Sequence, residues 1–263
     1  MKIGDVEVIV EGTGPEAIVM IHGWPDTYRL WDAQVEALKG SYRCVRFTLP
    51  GFAPAAPKRA YSFAELLETL RRVVEETCPG QRVILLLHDW GCFFGYQFAM
   101  RHPELVERVV GVDIGDAGSR DNRAELGLRG MVIILTYQLW LALAWKIGGK
   151  LGDRMARWMA RAMRCPTDPR TIGAHMGYPY AMRWLGVAGG LQRMRAFKPH
   201  CPMLFMYAER KPVMFHSRPW AERIAAQPGC RVIAFATGHW IMIQQASEFN
   251  EAVLRWLRET DST

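Results

Sequence analysis

The stretch Val83-Ile84-Leu85-Leu86-Leu87-His88-Asp89-Trp90-Gly91-Cys92 passes from an apolar run of strand character, through an acid, into a helix-like pattern. A carboxylate at the tip of a tight strand-to-helix turn gains the positive end of the helix and free backbone N–H groups, and its side chain is pushed out of the sheet into a cavity. A serine at such a place points to ester chemistry. An aspartate points to attack at carbon, through an ester intermediate that water then breaks. Aspartate also caps helices, so Asp89 has a purely structural alternative as the cap of a helix starting at Gly91.

Two further segments stand in matching positions. His22-Gly23-Trp24-Pro25-Asp26 follows the apolar run Ala17 to Ile21, and its glycine and proline shape a loop whose N–H groups can face a developing oxyanion. Gly238-His239-Trp240 follows the run Arg231 to Phe235 and precedes a helical pattern from Ala246 to Leu257. A distant histidine downstream of the nucleophile, on alternating strands and helices, is a candidate general base.

Working outward, strand-like and helix-like segments alternate: Val6 to Val10, Ala17 to Ile21, a helix from Tyr28 to Leu38, Tyr42 to Phe47, and a helix from the cap Ser62 to about Thr77. The pattern continues with Val83 to His88, Gly91 to Arg101 and Val109 to Asp113, then resumes at Met203 to Tyr207 and Arg231 to Phe235. Such alternation predicts a mostly parallel sheet covered on both faces, with ligand chemistry at the carboxyl ends of the strands. Asp89, Asp113, the Trp24 loop and His239 all fall at such ends.

The interruption from 117 to 200 is helical in pattern and rich in Met, Trp and Arg, which predicts a lid inserted into a core formed by residues 1–116 and 201–263. Its run Met131 to Trp145 is the most hydrophobic of the chain, but falls short of the roughly 20 residues that span a bilayer. A buried lid helix over an apolar pocket is the expectation, with membrane-surface contact as the alternative. Arg154, Arg157, Arg161 and Arg164 share one helical face, expected to be solvated, with Met155, Trp158, Met159 and Met163 largely elsewhere; contact with anionic lipid is the sharper alternative.

A chain of 263 residues, half of them apolar, suffices for one α/β domain with an insertion. Its six cysteines are scattered without a C-x-x-C pair and the N-terminus carries no apolar signal core, so a cytoplasmic protein with reduced thiols is expected. The net charge of +7 comes from dispersed residues with no binding module around them, which argues against nucleic acid. No metal or cofactor motif is present.

With these residues in place, the chain resembles the α/β-hydrolase superfamily, and within it the aspartate-nucleophile branch of epoxide hydrolases and haloalkane dehalogenases. The resemblance rests on His22-Gly23-Trp24-Pro25, Leu49-Pro50-Gly51-Phe52, His88-Asp89-Trp90-Gly91 and Gly238-His239, in family order. It implies an eight-stranded sheet with a helical cap and no cofactor. It also implies Asp89 as nucleophile, His239 as the base that activates water, and the N–H groups of Trp24 and Trp90 as oxyanion hole. In this resemblance Tyr137, Tyr178 and Tyr180 are candidate proton donors to an epoxide oxygen, since a phenol is neutral at pH 7.

The chain departs from the family in three places. Where epoxide hydrolases carry the triad acid after the seventh strand, Ala208-Glu209-Arg210-Lys211 presents a lysine, which cannot accept an imidazole N–H. The alternative place, after the strand that follows the nucleophile helix, offers Asp113; Glu209 and Asp116 are the next candidates. Leu87 replaces the usual small residue two before the nucleophile, and Trp24 stands where many dehalogenases have asparagine. The resemblance implies hydrolysis of a small apolar epoxide, with carbon–halogen cleavage as one alternative and a non-catalytic ligand-binding protein of the same fold as another.

Overall fold

The computed structural model describes residues 1–191 and 194–261. In chain order the elements are β1 (Lys2–Ile3), β2 (Val6–Glu11), β3 (Ala17–Ile21), α1 (Asp32–Leu38), β4 (Arg43–Phe47), α2 (Phe63–Thr77), β5 (Val83–His88), α3 (Trp90–Arg101) and β6 (Val106–Val112). They continue with α4 (Arg120–Ile147), α5 (Gly149–Ala162), α6 (Tyr178–Leu185), β7 (Met203–Ala208), α7 (Arg218–Ala225), β8 (Arg231–Phe235), α8 (Ile241–Gln244) and α9 (Ala246–Thr260). The eight strands form one sheet in the order β1-β2-β4-β3-β5-β6-β7-β8, antiparallel only where β2 meets β1 and β4.

Strand character explains this order. Every residue of β3 and β5 is buried, as expected of central parallel strands covered on both faces, whereas β2 near the edge alternates. Successive side chains of one strand feed opposite layers: Leu85 and Leu87 join the core on one face, Ile84 and Leu86 the core on the other. The first layer is closed by α2, whose Phe63, Leu66, Leu70 and Val74 recur at helical spacing. Ser62 starts that helix through a reciprocal pair, its hydroxyl accepting from the Glu65 N–H at 3.2 Å and its N–H donating to the Glu65 carboxylate at 2.7 Å. Losing such a cap costs about 1 kcal/mol.

The chain leaves β3 toward β4 on one side and returns to β5 on the other, so the carboxyl ends of β3 and β5 flank a topological switch point. Register then fixes which loops meet. Ile21 pairs with Leu87 and His88 with Val112, which sets the Trp24 loop, Asp89 and Asp113 side by side.

Between β6 and β7 the described residues add no strand beyond a single bridge from Ile114 to Phe215, and here two expectations fail. The apolar run of α4 is not a buried lid helix: Leu128, Val132, Leu135, Leu139, Leu143 and Ile147 are 41 to 80 % exposed, and only 17 % of its most apolar window is buried. The helix turns Leu141, Ala142 and Ala144 inward instead and keeps a second apolar face outside. It is also longer than the apolar run suggests, 28 residues interrupted at Gly127, where φ is 58°. On α5, Trp158 is exposed beside Arg154 and Arg161 instead of lying on another face, because helical spacing sets it one turn from each; Arg157 turns in to donate to the Ile172 carbonyl at 2.9 Å, and Arg164 lies beyond the helix end. All six cysteines are free thiols.

Candidate active site

Asp89 sits between β5 and α3 with φ 52° and ψ −122°, outside the regions that L-residues prefer. Such strain costs of order 1–3 kcal/mol and persists only where the surroundings impose it. They do so through close approach. A Cβ at Gly23 would lie 2.2 Å from Asp89 Oδ1, and one at Gly91 would lie 2.2 Å from the Ile21 carbonyl. The bulky Leu87 is accommodated by another glycine one turn into α3: a Cβ at Gly95 would meet Leu87 Cδ2 at 2.4 Å. The elbow thus tolerates a large residue by removing one opposite it.

The two oxygens of Asp89 have different surroundings. Oδ1 accepts the Trp24 N–H at 2.7 Å, and the Trp90 N–H also bonds this carboxylate. Oδ2 lies 3.7 Å from His239 Nε2. Burial opposes ionisation of Asp89, but His239 and the Trp90 N–H more than offset it and hold the carboxyl below its usual range.

His239 follows β8, and its Nδ1 bonds Asp113 Oδ2. Burial alone would lower the histidine; the hydrogen bonds and charges of Asp113 and Asp89 reverse this and raise it to about 9. Asp113, fully buried at the end of β6 with φ 66°, is a second strained acid. Its Oδ1 accepts the Ala208 N–H at 2.8 Å and forms an ion pair with Lys211. Burial opposes its ionisation, and Lys211 first, then His239, bring it down to about 2. Lys211 therefore points at Asp113. Its own buried ammonium is lowered by desolvation, with Asp113 acting against that. Lys211, Asp113, His239 and Asp89 form a row of alternating charges.

The other acid candidates are not brought to His239. Asp116 is engaged by the Ser217 N–H at 2.6 Å and by the hydroxyls of Ser119 and Ser217, and exposed Glu209 donates its N–H to the Phe235 carbonyl at 2.9 Å.

Asp89 is shared by two cavities, of about 390 and 850 Å³, with Tyr137 and Tyr180 in the walls of both. A larger cavity of about 970 Å³ beside Pro54 contains none of Asp89, Asp113 or His239. Trp24 stands edge-on to Tyr180 at 6.0 Å and Trp90 at 5.2 Å. Burial first, then the charge of Asp89, raises both Tyr137 and Tyr180, so both phenols keep their protons at neutral pH. Tyr178 is not brought to the site. It packs on Phe52 and Tyr61, 5.6 and 5.5 Å between ring centres, because two positions along a helix turn a side chain by about 200°.

Three supporting residues carry no sequence expectation. His22 accepts the Leu49 N–H at Nε2, 2.9 Å, tying the Trp24 loop to the Leu49–Phe52 segment. His88 packs tilted against His239 at 4.4 Å between ring centres with Nε2 3.2 Å from its carbonyl, and burial lowers it to about 3. Asp26 is buried between Thr167 and the Trp240 indole N–H, 2.9 Å away, and burial raises it to about 6. The signal for all three was their position inside the quoted stretches around residues 22–26 and 83–92. No group of three or more His, Cys, Asp or Glu is placed to hold a metal among the described residues.

A strained acid on a strand-to-helix turn, facing a histidine after the last strand of a mostly parallel sheet, defines a class. The family model of the alpha/beta hydrolase family matches residues 18–252, and the chain belongs to that family. Among curated proteins it is similar to epoxide hydrolase 1 of Caenorhabditis elegans, 32 % identical over 105 residues, 39 % of this chain and 26 % of that protein. A probable oxidoreductase, EphD, of Mycobacterium tuberculosis is 32 % identical over 112 residues, 41 % of this chain and only 19 % of that protein. The matches thus span about a fifth to a quarter of these relatives' lengths. Among solved structures, a Bacillus megaterium epoxide hydrolase with its product has a TM-score of 0.73 at 19 % identity, covering 96 % of each chain. A Thermogutta terrifontis esterase reaches 0.63 at 15 % identity, covering 97 % of this chain and 93 % of that one. The fold is common to both chemistries.

Proposed function

We propose that the protein hydrolyses epoxides of apolar compounds through an ester on Asp89, with residues 117–200 as a cap over the core. Asp89 Oδ2 attacks an epoxide carbon as the C–O bond of the ring breaks, and the ring oxygen takes a proton from Tyr137 or Tyr180. Esterification removes the negative charge of Asp89, so the histidine loses one of the two anions that keep it protonated, and its proton passes to the phenolate, restoring the phenol. Neutral His239, oriented by Asp113, then takes a proton from water as that water attacks the ester carbon. The developing oxyanion on Oδ1 is met by the N–H groups of Trp24 and Trp90. As the tetrahedral intermediate collapses, the bond between the acyl carbon and Oδ2 breaks, the departing alkoxide takes the proton from His239 to complete the diol, and the carboxylic acid left on residue 89 returns a proton to His239.

The observation that carries this reading is the placement of two phenols, the half-buried Tyr137 and the buried Tyr180, around the same cavities as Asp89. An ester route to a carbon–halogen bond needs no phenol, because halide leaves without a proton. That second reading draws on Trp90, whose ring lines the smaller cavity and carries an N–H suited to a halide.

The test uses styrene oxide and a bromoalkane. Diol should form from the epoxide, and His239→Gln should accumulate the ester, seen as added mass on the Asp89 peptide. Tyr137→Phe or Tyr180→Phe should slow ester formation by about 10²-fold, as loss of a general acid does, while Tyr178→Phe should not. Bromide release with all three tyrosine variants silent would replace this reading by the dehalogenase one.

A further inference from the structure

The outer face of α4 carries a run of large apolar side chains that no other described residue covers. Leu128, Val132, Leu135, Leu139, Leu143 and Ile147 follow one another at three- and four-residue spacing, a single stripe on a helix that spans about 30 Å after its break at Gly127. Beside it, α5 exposes Leu151 and Trp158 at 57 and 55 %, and the Trp158 ring packs on Trp140 of α4 at 5.1 Å, so the two exposed faces adjoin. Solvent-facing apolar area of this extent marks a surface that meets another phase or partner.

The charges around it choose the partner. Between residues 126 and 167 the chain carries seven Lys and Arg and one acid. That acid, Asp153, is spent inside, accepting the Ala174 N–H at 2.8 Å. Arg129 stands at one end of the stripe, Lys146 and Lys150 at the other, and Arg154 and Arg161 flank Trp158, all exposed. A second copy seated here would bring this basic segment against its own image in a protein of net charge +7. An anionic bilayer surface satisfies both halves of the face: acyl chains take the leucines, headgroups take the cations, and Trp158 occupies the boundary between them.

The mouth of the site lies in the same face. Leu128, Val132 and Leu135 of the stripe are also walls of the cavity of about 390 Å³ that ends at Asp89. We propose that the α4–α5 face docks the protein on anionic lipid membranes as a monotopic surface, the stripe immersed and the cavity opening toward the acyl region. An apolar solute dissolved in the bilayer would then enter without crossing water. The docking itself does not depend on the chemistry at Asp89, and its test needs no turnover.

The full chain is floated with vesicles of phosphatidylcholine alone and of equal parts phosphatidylcholine and phosphatidylglycerol. Binding to the mixed vesicles, weakened by salt and much weaker on the neutral ones, is expected. Leu139→Glu with Leu143→Glu, positions outside both cavities at Asp89, should cut partitioning by about 10²-fold or more. Arg154→Gln with Arg161→Gln should cut it by about 30-fold. Circular dichroism and thermal melting show that each variant is folded before it is used. Absence of flotation on the anionic vesicles overturns the proposal, as does undiminished binding of the leucine variant. A dimer by light scattering that the leucine pair dissociates, with no vesicle binding, assigns the face to a second copy instead.

Discussion

Replacing Asp89 by asparagine should lower the titration of His239 far below its resting value of about 9. The carboxylate Oδ2 lies 3.7 Å from Nε2, and both side chains are largely shielded, at 15 and 14 % exposure. At an effective dielectric of about 20, opposite charges at this distance attract by about 4 kcal/mol, about 10³-fold in the protonation equilibrium. Asparagine keeps the shape and removes the charge, which is also what esterification does. The variant therefore imitates the electrostatics of the proposed ester with no substrate present. The folded-state value of His239 lies above its free value of 6.5, so its imidazolium contributes stability that is fully present below pH 6.5 and lost as pH rises through about 9. In the variant, that loss should begin at lower pH. Proton–nitrogen correlation spectra of the imidazole, followed across pH, measure the shift directly. A His239 that still titrates near 9 in Asp89→Asn would refute the idea that losing the nucleophile's charge releases the base.

Three other expectations follow from the same row of charges and its neighbours. Asp113→Asn should reduce turnover by about 10³–10⁴-fold, since the amide no longer stabilises the imidazolium, while Glu209→Gln should leave kcat unchanged; the opposite ranking in steady-state kinetics would move the acid to the end of β7. Lys211→Met should raise the titration of His239, because Asp113 then has one cation fewer to serve, and should cost about 3 kcal/mol in urea unfolding as a buried charge loses its partner; an unmoved histidine would make the lysine a packing residue only. Asp26 is raised from 3.8 to about 6 by burial, so its carboxylate destabilises the fold increasingly as pH rises from about 4 to 6. Asp26→Asn, which can keep both partners, should then gain about 3 kcal/mol at pH 8 and nothing near pH 4 in thermal melts.

The parts of the molecule legible in the sequence are those decided locally. The span of β5, the cap at Ser62 and the strand ends bearing Asp89 and His239 follow from short-range pattern and turn chemistry. The helix α7 begins with Ser217 and Pro219, both start signals, but it is too short for periodicity to reveal. The exposure of α4 was hidden because a helix apolar on most sides does not state which side its neighbours cover. That Lys211 cannot serve as an acceptor is plain from its chemistry. That it would be drawn to Asp113 depends on Val112 pairing with Met206, a register between strands about 90 residues apart that no local pattern encodes. Likewise Tyr178 and Tyr180 must point apart, but only the packing of α6 decides which faces the nucleophile.

The row Lys211, Asp113, His239, Asp89 also sets how the pocket treats small ions. At rest its two cations and two anions cancel, and the outermost member is a carboxylate, so chloride, phosphate and carboxylic acids from the surroundings find no welcome beside the nucleophile. In the proposed ester, with Asp89 uncharged and His239 neutral, the same row keeps only the cancelling Lys211–Asp113 pair, next to two N–H groups directed at the ester. For the lifetime of that ester the pocket would no longer present an anion at its outer end, and water, polarised toward hydroxide by His239, would be the smallest guest to use the change.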